Sequence, residues 1–231
     1  LLGGTELVAF EKVDRDGKTV FTHEDINDEG QTVLIGKPKA STRLLDSLDS
    51  DGSVIADKDA SVKDVVSYEN LVKGERYTLY TMLMDTETGL PLVCGAYEAD
   101  ADELASFAGE VKAALGLTGD ASLAADPSKA IDSDALKKDS ELASHLAYGT
   151  TDFAPEETSG EQAVALAVDA SQLAGKKTTC YEVLVKDDRV PATHCDKDST
   201  DQQVDFVAPE IGTELTDSSD SDHTILPGTV K

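Results

Sequence analysis

The chain has 231 residues, 39% of them hydrophobic and none of them tryptophan, with 46 acidic against 20 basic side chains and a formal net charge of −26. That length holds one sizeable core, and the charge argues against nucleic acid and anionic membranes as partners, because the net phosphate term in binding would be repulsive. No run approaches the ~20 apolar residues of a transmembrane helix, and the composition suits a β-rich, well-hydrated surface protein.

Residues 1 to 35 read as a hairpin turned at Asp14-Arg-Asp-Gly17, where Asp-Gly supplies the positive φ of a tight turn, followed by a strand at Gln31-Thr-Val-Leu-Ile35. Lys37-Pro38 is a short joint, and a new unit opens with the strand Ala40-Ser-Thr-Arg-Leu-Leu-Asp46. The loop Asp49-Ser-Asp-Gly52 has a trace of a calcium loop. Its spacing fails, because Ser47 stands at the first ligand position and Lys58 at the bidentate glutamate position, so a solvated turn is expected. Strands follow at 60–68 and 75–85, the second turning at Thr86-Glu-Thr-Gly89 and continuing through Leu90-Pro-Leu-Val-Cys94. Short β runs between turn signals predict an all-β, immunoglobulin-like sandwich.

From about 100 to 150 the period changes. Leu104, Phe107, Val111, Ala114 and Leu115 recur at helical spacing, as do Leu136, Leu142, His145 and Leu146, with Gly119 and Pro127 as punctuation. A helical insertion is expected, with His145 on a helix face rather than in a ligand set. The β pattern returns at Gln162–Asp169, turns at 170–175, and gives the strand Thr179-Cys-Tyr-Glu-Val-Leu-Val-Lys186. A turn at Asp187-Asp-Arg189, a strand from Val190 to His194 and a last strand opening on Gln202-Gln203 complete the unit.

That closing stretch has an earlier copy. Twelve residues separate Glu11 from His23 and Glu182 from His194, and eight separate His23 from Gln31 and His194 from Gln202. Pro209 and Thr213 likewise repeat the spacing of Pro38 and Thr42. The repeat length is 171 residues, as from Glu11 to Glu182. A period that holds Glu, His and Gln in register marks a site repeated together with a fold. The expected organisation is residues 1–36 as closing strands of a preceding repeat, 37–208 as a complete domain, and 209–231 as the start of a following repeat. A single Glu–His pair on facing strands is ordinarily a surface pair; its recurrence with a glutamine at fixed distance points to a site.

Three cysteines allow at most one internal pair. Cys180 and Cys195 lie on the two arms of one hairpin, yet strand alternation turns them to opposite faces if Glu182 and His194 share one. A disulfide and buried free thiols both stay open. His194-Cys-Asp196 has no second histidine nearby to make a metal centre, and no nucleophile elbow or Cys/His pairing suggests a hydrolase. No metal and no cofactor are expected.

Several motifs occur together in one order: Val8-Ala-Phe-Glu11, His23-Glu-Asp-Ile-Asn-Asp with Gln31-Thr32, the Pro-x-x-x-Thr of Pro38 to Thr42, Asp64-x-Val-x-Tyr68 and Leu83-Met-Asp-x-x-Thr-Gly-x-Pro-Leu92. The set resembles the VaFE-repeat domains of Gram-positive surface adhesins, which close an intramolecular Thr–Gln ester bond. The resemblance implies Thr42 as nucleophile on the first strand and Gln202 as acyl donor on the last. Asp64, Glu182 and His194 would then be the acid/base set. Glu11, His23 and Gln31 would be the remnant of the preceding repeat and Thr213 that of the following one. It also implies an extracellular, cell-wall-anchored stalk or adhesin, cross-linked by a single self-directed turnover rather than by an enzyme, with neighbouring repeats and a host or surface ligand as partners. The chain departs from the pattern at Tyr181 in place of Phe, at Cys180, and at Gln202-Gln203 in place of Gln-Thr. Two other readings are a pilin-like domain with a Lys–Asn or Lys–Asp isopeptide bond, and a ligand-binding module acting through the helical insertion.

Overall fold

The computed structural model describes residues 3–118, 124–125 and 141–216. The first four strands are β1 (Glu6–Val8), β2 (Glu11–Arg15), β3 (Lys18–His23) and β4 (Thr32–Leu34), with a one-turn 3-10 helix at Glu29–Gln31. Then come β5 (Lys39–Asp46), β6 (Ser53–Ile55), β7 (Ala60–Glu69) and β8 (Tyr77–Asp85). Helix α1 (Ala101–Ala114), the two-residue strands β9 (Leu117–Thr118) and β10 (Ala124–Ala125), and the single turn α2 (Glu141–Ser144) interrupt the strand pattern. It resumes with β11 (Tyr148–Phe153), β12 (Gly160–Val168), β13 (Lys177–Lys186), β14 (Arg189–His194), a 3-10 turn at Thr200–Gln202, and β15 (Gln203–Val207).

The protein is mostly β. Strands β12, β7 and β5 form one antiparallel sheet, and β11, β8, β13, β15 and β6 form a second, with β14 also paired to β13. The ten-residue β13 serves two partners on one edge: its first half pairs β15 (Lys177↔Asp205) and its second half pairs β14 (Glu182↔His194). Period-two alternation in β5, β7, β8 and β13 gives each sheet an apolar inner face. Leu44, Val62 and Val66 of the smaller sheet share one buried cluster with Leu79, Leu83, Leu184, Val204 and Phe206 of the larger one. The sheets approach closely at Gly149, where an added Cβ would lie 2.6 Å from Leu166 and 3.0 Å from Val164. Both expected tight turns have two residues at positive φ, Asp16 and Gly17 at 50° and 72°, Asp187 and Asp188 at 49° and 56°, which is the hairpin geometry that matches strand twist.

Residues 3–36 repeat the end of the domain in register. The pairs Glu6↔Leu34, Val8↔Thr32 and Glu11↔His23 correspond to Lys177↔Asp205, Thr179↔Gln203 and Glu182↔His194. Their apolar face is uncovered: Val13, Phe21 and Val33 are 51%, 57% and 65% exposed, whereas their counterparts Leu184, Ala192 and Val204 are buried in the core.

Several expectations need correction. The insertion expected at about 100–150 gives way to β11 at Tyr148. Its first helix forms, capped by the Asp100 carboxylate accepting from the Asp102 amide at 2.7 Å. The second helical pattern is described only as the one turn α2, and Gly119, Pro127 and Leu136 lie outside the described residues. His145 follows that turn and stacks on Tyr97 with ring centroids 4.5 Å apart. Leu90–Cys94 is not a strand but makes two isolated bridges, Met84↔Pro91 and Val93↔Leu146, since Pro91 has no N–H for a ladder. Gln31 and Gln202 stand in the 3-10 turns just ahead of their strands, not within them. Asp46 and Asp51 spend carboxylate oxygens on the Leu48 and Ser53 amides, both at 2.7 Å, which makes the acidic loop a set of turns. All three cysteines are free. Cys180 belongs to the inner core, while Cys195 packs on the outer face of the same sheet with Val183, Val185, Val190 and Leu115, so alternation forbids their bond.

Candidate functional site

Thr42 on β5 and Asp64 on β7 are polar residues in the middle of a mostly apolar inner face. Thr42 stands opposite Val66, and Asp64 opposite Leu44, in the β5–β7 ladder. Across the core, alternation along β13 puts Glu182 on the face of Cys180 and Leu184. The turn at Thr200–Gln202 folds the Gln202 side chain under that strand, held by the Gln202 amide bonding the Ser199 carbonyl at 3.1 Å. Asp64, Glu182 and Gln202 are all 0% exposed and Thr42 is 4% exposed.

Glu182 is the junction. Its Oε2 accepts from the Thr42 hydroxyl at 2.7 Å and from the Gln202 carboxamide nitrogen at 2.8 Å. The two groups therefore lie no further apart than those bonds laid end to end. The same nitrogen donates to the Cys180 and His194 carbonyls at 2.7 and 2.9 Å, which fixes the plane of the carboxamide. Its Oε1 has no partner among the described residues, nor do Asp64 Oδ1 and Glu182 Oε1. Buried acceptors left open in this way are costly, and three lie together here. His194 brings Nδ1 to 3.7 Å from Glu182 Oε2, outside hydrogen-bond range, and is a quarter exposed.

Burial controls the charges. It raises the Asp64 carboxyl to about 7, against hydrogen bonds from Thr81 and Cys180 that pull it down. Glu182 is held well above the ordinary carboxyl range, first by burial and then by the neighbouring Asp64 charge. Burial lowers His194, though Asp196 and Asp201 oppose it, so the imidazole is neutral near pH 7. The pair of carboxyls thus retains protons where an exposed pair would have lost both. Asp64, Cys180 and Glu182 also bring three ligand atoms within 4.8 Å of one another. Burial holds all three toward their protonated forms, whereas a metal needs them ionised. Proton chemistry suits the set better.

The family model of the T-Q ester bond containing domain matches residues 1–35 and 38–206. The chain belongs to that family. No curated protein matches it. Among solved structures, one crystal form (P1) of a bacterial adhesin from Mobiluncus mulieris "containing intramolecular disulfide, isopeptide, and ester bond cross-links" is 14% identical over 75% of this chain, with a TM-score of 0.43. A second crystal form (P21) gives 14% identity over 73% and a TM-score of 0.38. The T-Q ester bond domain chain spans 58% and 56% of the length of those two.

Within this T-Q ester bond domain, Thr42, Asp64, Glu182 and Gln202 converge, and His194 flanks them. The other expected residues are elsewhere. Glu11 and His23 face each other in the β2–β3 ladder with Glu11 exposed, and His23 Nε2 lies 2.8 Å from Asp28 Oδ2. The position matching Asp28 in the complete site is Ser199, so the two histidines have different partners. Thr213 is exposed and outside any strand. Gln203 turns aside to the Lys197 carbonyl at 2.7 Å. One buried member was missed by sequence reasoning: Thr81, whose hydroxyl donates to Asp64 Oδ2 at 2.8 Å. A threonine at an inward position of β8, between Leu79 and Leu83, was the available signal.

Proposed function

We propose that residues 37–208 are an adhesin or stalk domain that cross-links itself by an ester between Thr42 and Gln202, near its first and last strands. The observation that carries this is the single Glu182 oxygen bonded to both the nucleophile and the leaving nitrogen. The carboxyl pair enters the step with one proton, on Asp64, and Glu182 takes the Thr42 proton as Oγ1 attacks the Gln202 carboxamide carbon. Negative charge develops on Gln202 Oε1, where a protonated Asp64 donates to it. Collapse breaks the C–N bond, and the nitrogen leaves as ammonia with the proton that Glu182 received. One ester bond forms and one ammonia departs. Neutral His194, a quarter exposed and 3.7 Å from Glu182 Oε2, is the partly solvated group beside the closed site and would need to move closer to exchange a proton with Glu182. Holding the two groups together replaces an encounter worth roughly 7–11 kcal/mol of barrier at best, and exclusion of water protects the ester.

The same reading assigns residues 1–36 to the closing half of a preceding repeat and 209–231 to the opening half of a following one. The shared register and the uncovered face of Val13, Phe21 and Val33 support it. The reading extends to a cell-surface, cell-wall-anchored location in a Gram-positive bacterium, with neighbouring repeats as partners. No described helix is long and apolar enough to cross a membrane.

A second reading has its own observation. Helix α1 and the outer face of the larger sheet enclose a cleft of about 560 Å³ lined by Tyr80, Met82, Val111, Leu115, Tyr148 and Tyr181, a volume in the range of ligand sites. A surface ligand held there would make the ester purely structural.

Alkaline hydroxylamine tests the cross-link. It cleaves esters and spares amides, so the protein is expected to shift from a compact to a slower band on denaturing gels, and Thr42→Ala to run slow throughout. A compact band that resists the reagent would point to the isopeptide alternative instead.

A further inference from the structure

Thr81 has a place in this site that the exchange between Thr42 and Gln202 does not assign. It is 2% exposed and stands opposite Glu182 in the β8–β13 ladder. Its hydroxyl donates to Asp64 Oδ2 at 2.8 Å and lies 2.7 Å from Cys180 Sγ. A hydroxyl has one hydrogen and two lone pairs. With the hydrogen given to Asp64, Thr81 Oγ1 meets the thiol as an acceptor, and the donor is the Cys180 S–H. Thr81 thus links the thiol to Asp64 Oδ2. Burial lifts the thiol well above its usual range, so Cys180 keeps a hydrogen that it can donate. With Oδ2 engaged by Thr81, Oδ1 is the oxygen of Asp64 with no other partner among the described residues.

We propose that Thr81 is a positioning residue for ester formation: it fixes Oδ1 as the oxygen of Asp64 that carries the acid hydrogen, leaving it free to donate into the site. This rests on the Thr42–Gln202 reading above. The titratable groups facing Asp64 are Cys180 and Glu182 on β13, with His194 on β14 beside Glu182. Leu44 and Val164, its ladder neighbours on β5 and β12, carry no charge. Without the Thr81 hydrogen bond, one interaction favouring ionised Asp64 is gone, and the carboxyl is free to place its hydrogen on either oxygen.

The experiment follows ammonia loss by intact mass in freshly synthesised full chain from a cell-free system, between pH 5.5 and 9. Thr81→Val is expected to slow the reaction about tenfold or more, on the scale of a misplaced general acid, and to move the alkaline limb of its profile upward. Thr81→Ser is expected to restore both rate and profile. If Thr81→Val does not fold, Thr81→Ala makes the same comparison. A Thr81→Val profile equal to wild type overturns the inference while leaving the ester intact. Equal slowing at every pH, with no rescue by serine, means a packing role only and overturns it too. If wild type itself never loses ammonia, the underlying reading fails, and the inference with it.

Discussion

Asp64 and Glu182 hold their carboxyl groups in a place where neither ionises readily, and this has a consequence for stability. The folded Asp64 titrates at about 7 against 3.8 for the unfolded group. The folded state therefore binds more protons between those values, and the sign is the reverse of an ordinary salt-bridged aspartate. Stability is full below the unfolded value, declines as pH rises through the window, and is flat above about 7. Asp64 alone accounts for about 4 kcal/mol across that range, and Glu182 acts in the same direction. In Thr42→Ala, where no cross-link masks the effect, urea midpoints are expected to fall from pH 4.5 to 7.5. Adding Asp64→Asn should flatten the slope. A midpoint that rises with pH in Thr42→Ala would mean that these carboxyls are ionised in the folded domain.

The strand β13 shows what was legible in the sequence and what was not. Alternation along 179–186 turns Cys180 and Cys195 to opposite faces if Glu182 and His194 share one, and the ladder supplies that condition by pairing Glu182 with His194. Spacing between repeats predicted the register of residues 3–36, since both copies obey the same turns. The inward polar residue on β8 escaped notice: a lone threonine among Tyr77, Leu79 and Leu83 reads as an ordinary β-former, and its meaning depends on Asp64 arriving from another sheet. Leu90–Cys94 was over-read for a related reason, as apolar content suggested a strand where Pro91 removes a donor. The insertion was legible as helix, but not its extent. Tyr148–Phe153 lacks the apolar alternation of the other strands, and its place in the sheet comes from pairing with β8.

For the domain as a body, the bond would matter through the length of chain it closes. Thr42 and Gln202 are 160 residues apart. In the chain-entropy account of cross-links, a loop of that size contributes on the order of 5 kcal/mol, less any strain in the folded state. Thr42→Ala is accordingly expected to keep the two-sheet fold but melt well below wild type, and to be cleaved faster in limited proteolysis. Residues 3–36 lie outside the closed loop and should be cleaved equally in both proteins. Equal melting temperatures would show that the link, if formed, carries no stability. The central claim is the bond itself, and the intact mass of the folded protein tests it most directly. The account predicts a mass below that of the sequence by one ammonia, about 17 Da, with one proteolytic peptide joining Thr42 to Gln202. A folded protein at its full sequence mass, or a joined peptide lacking either residue, would contradict it.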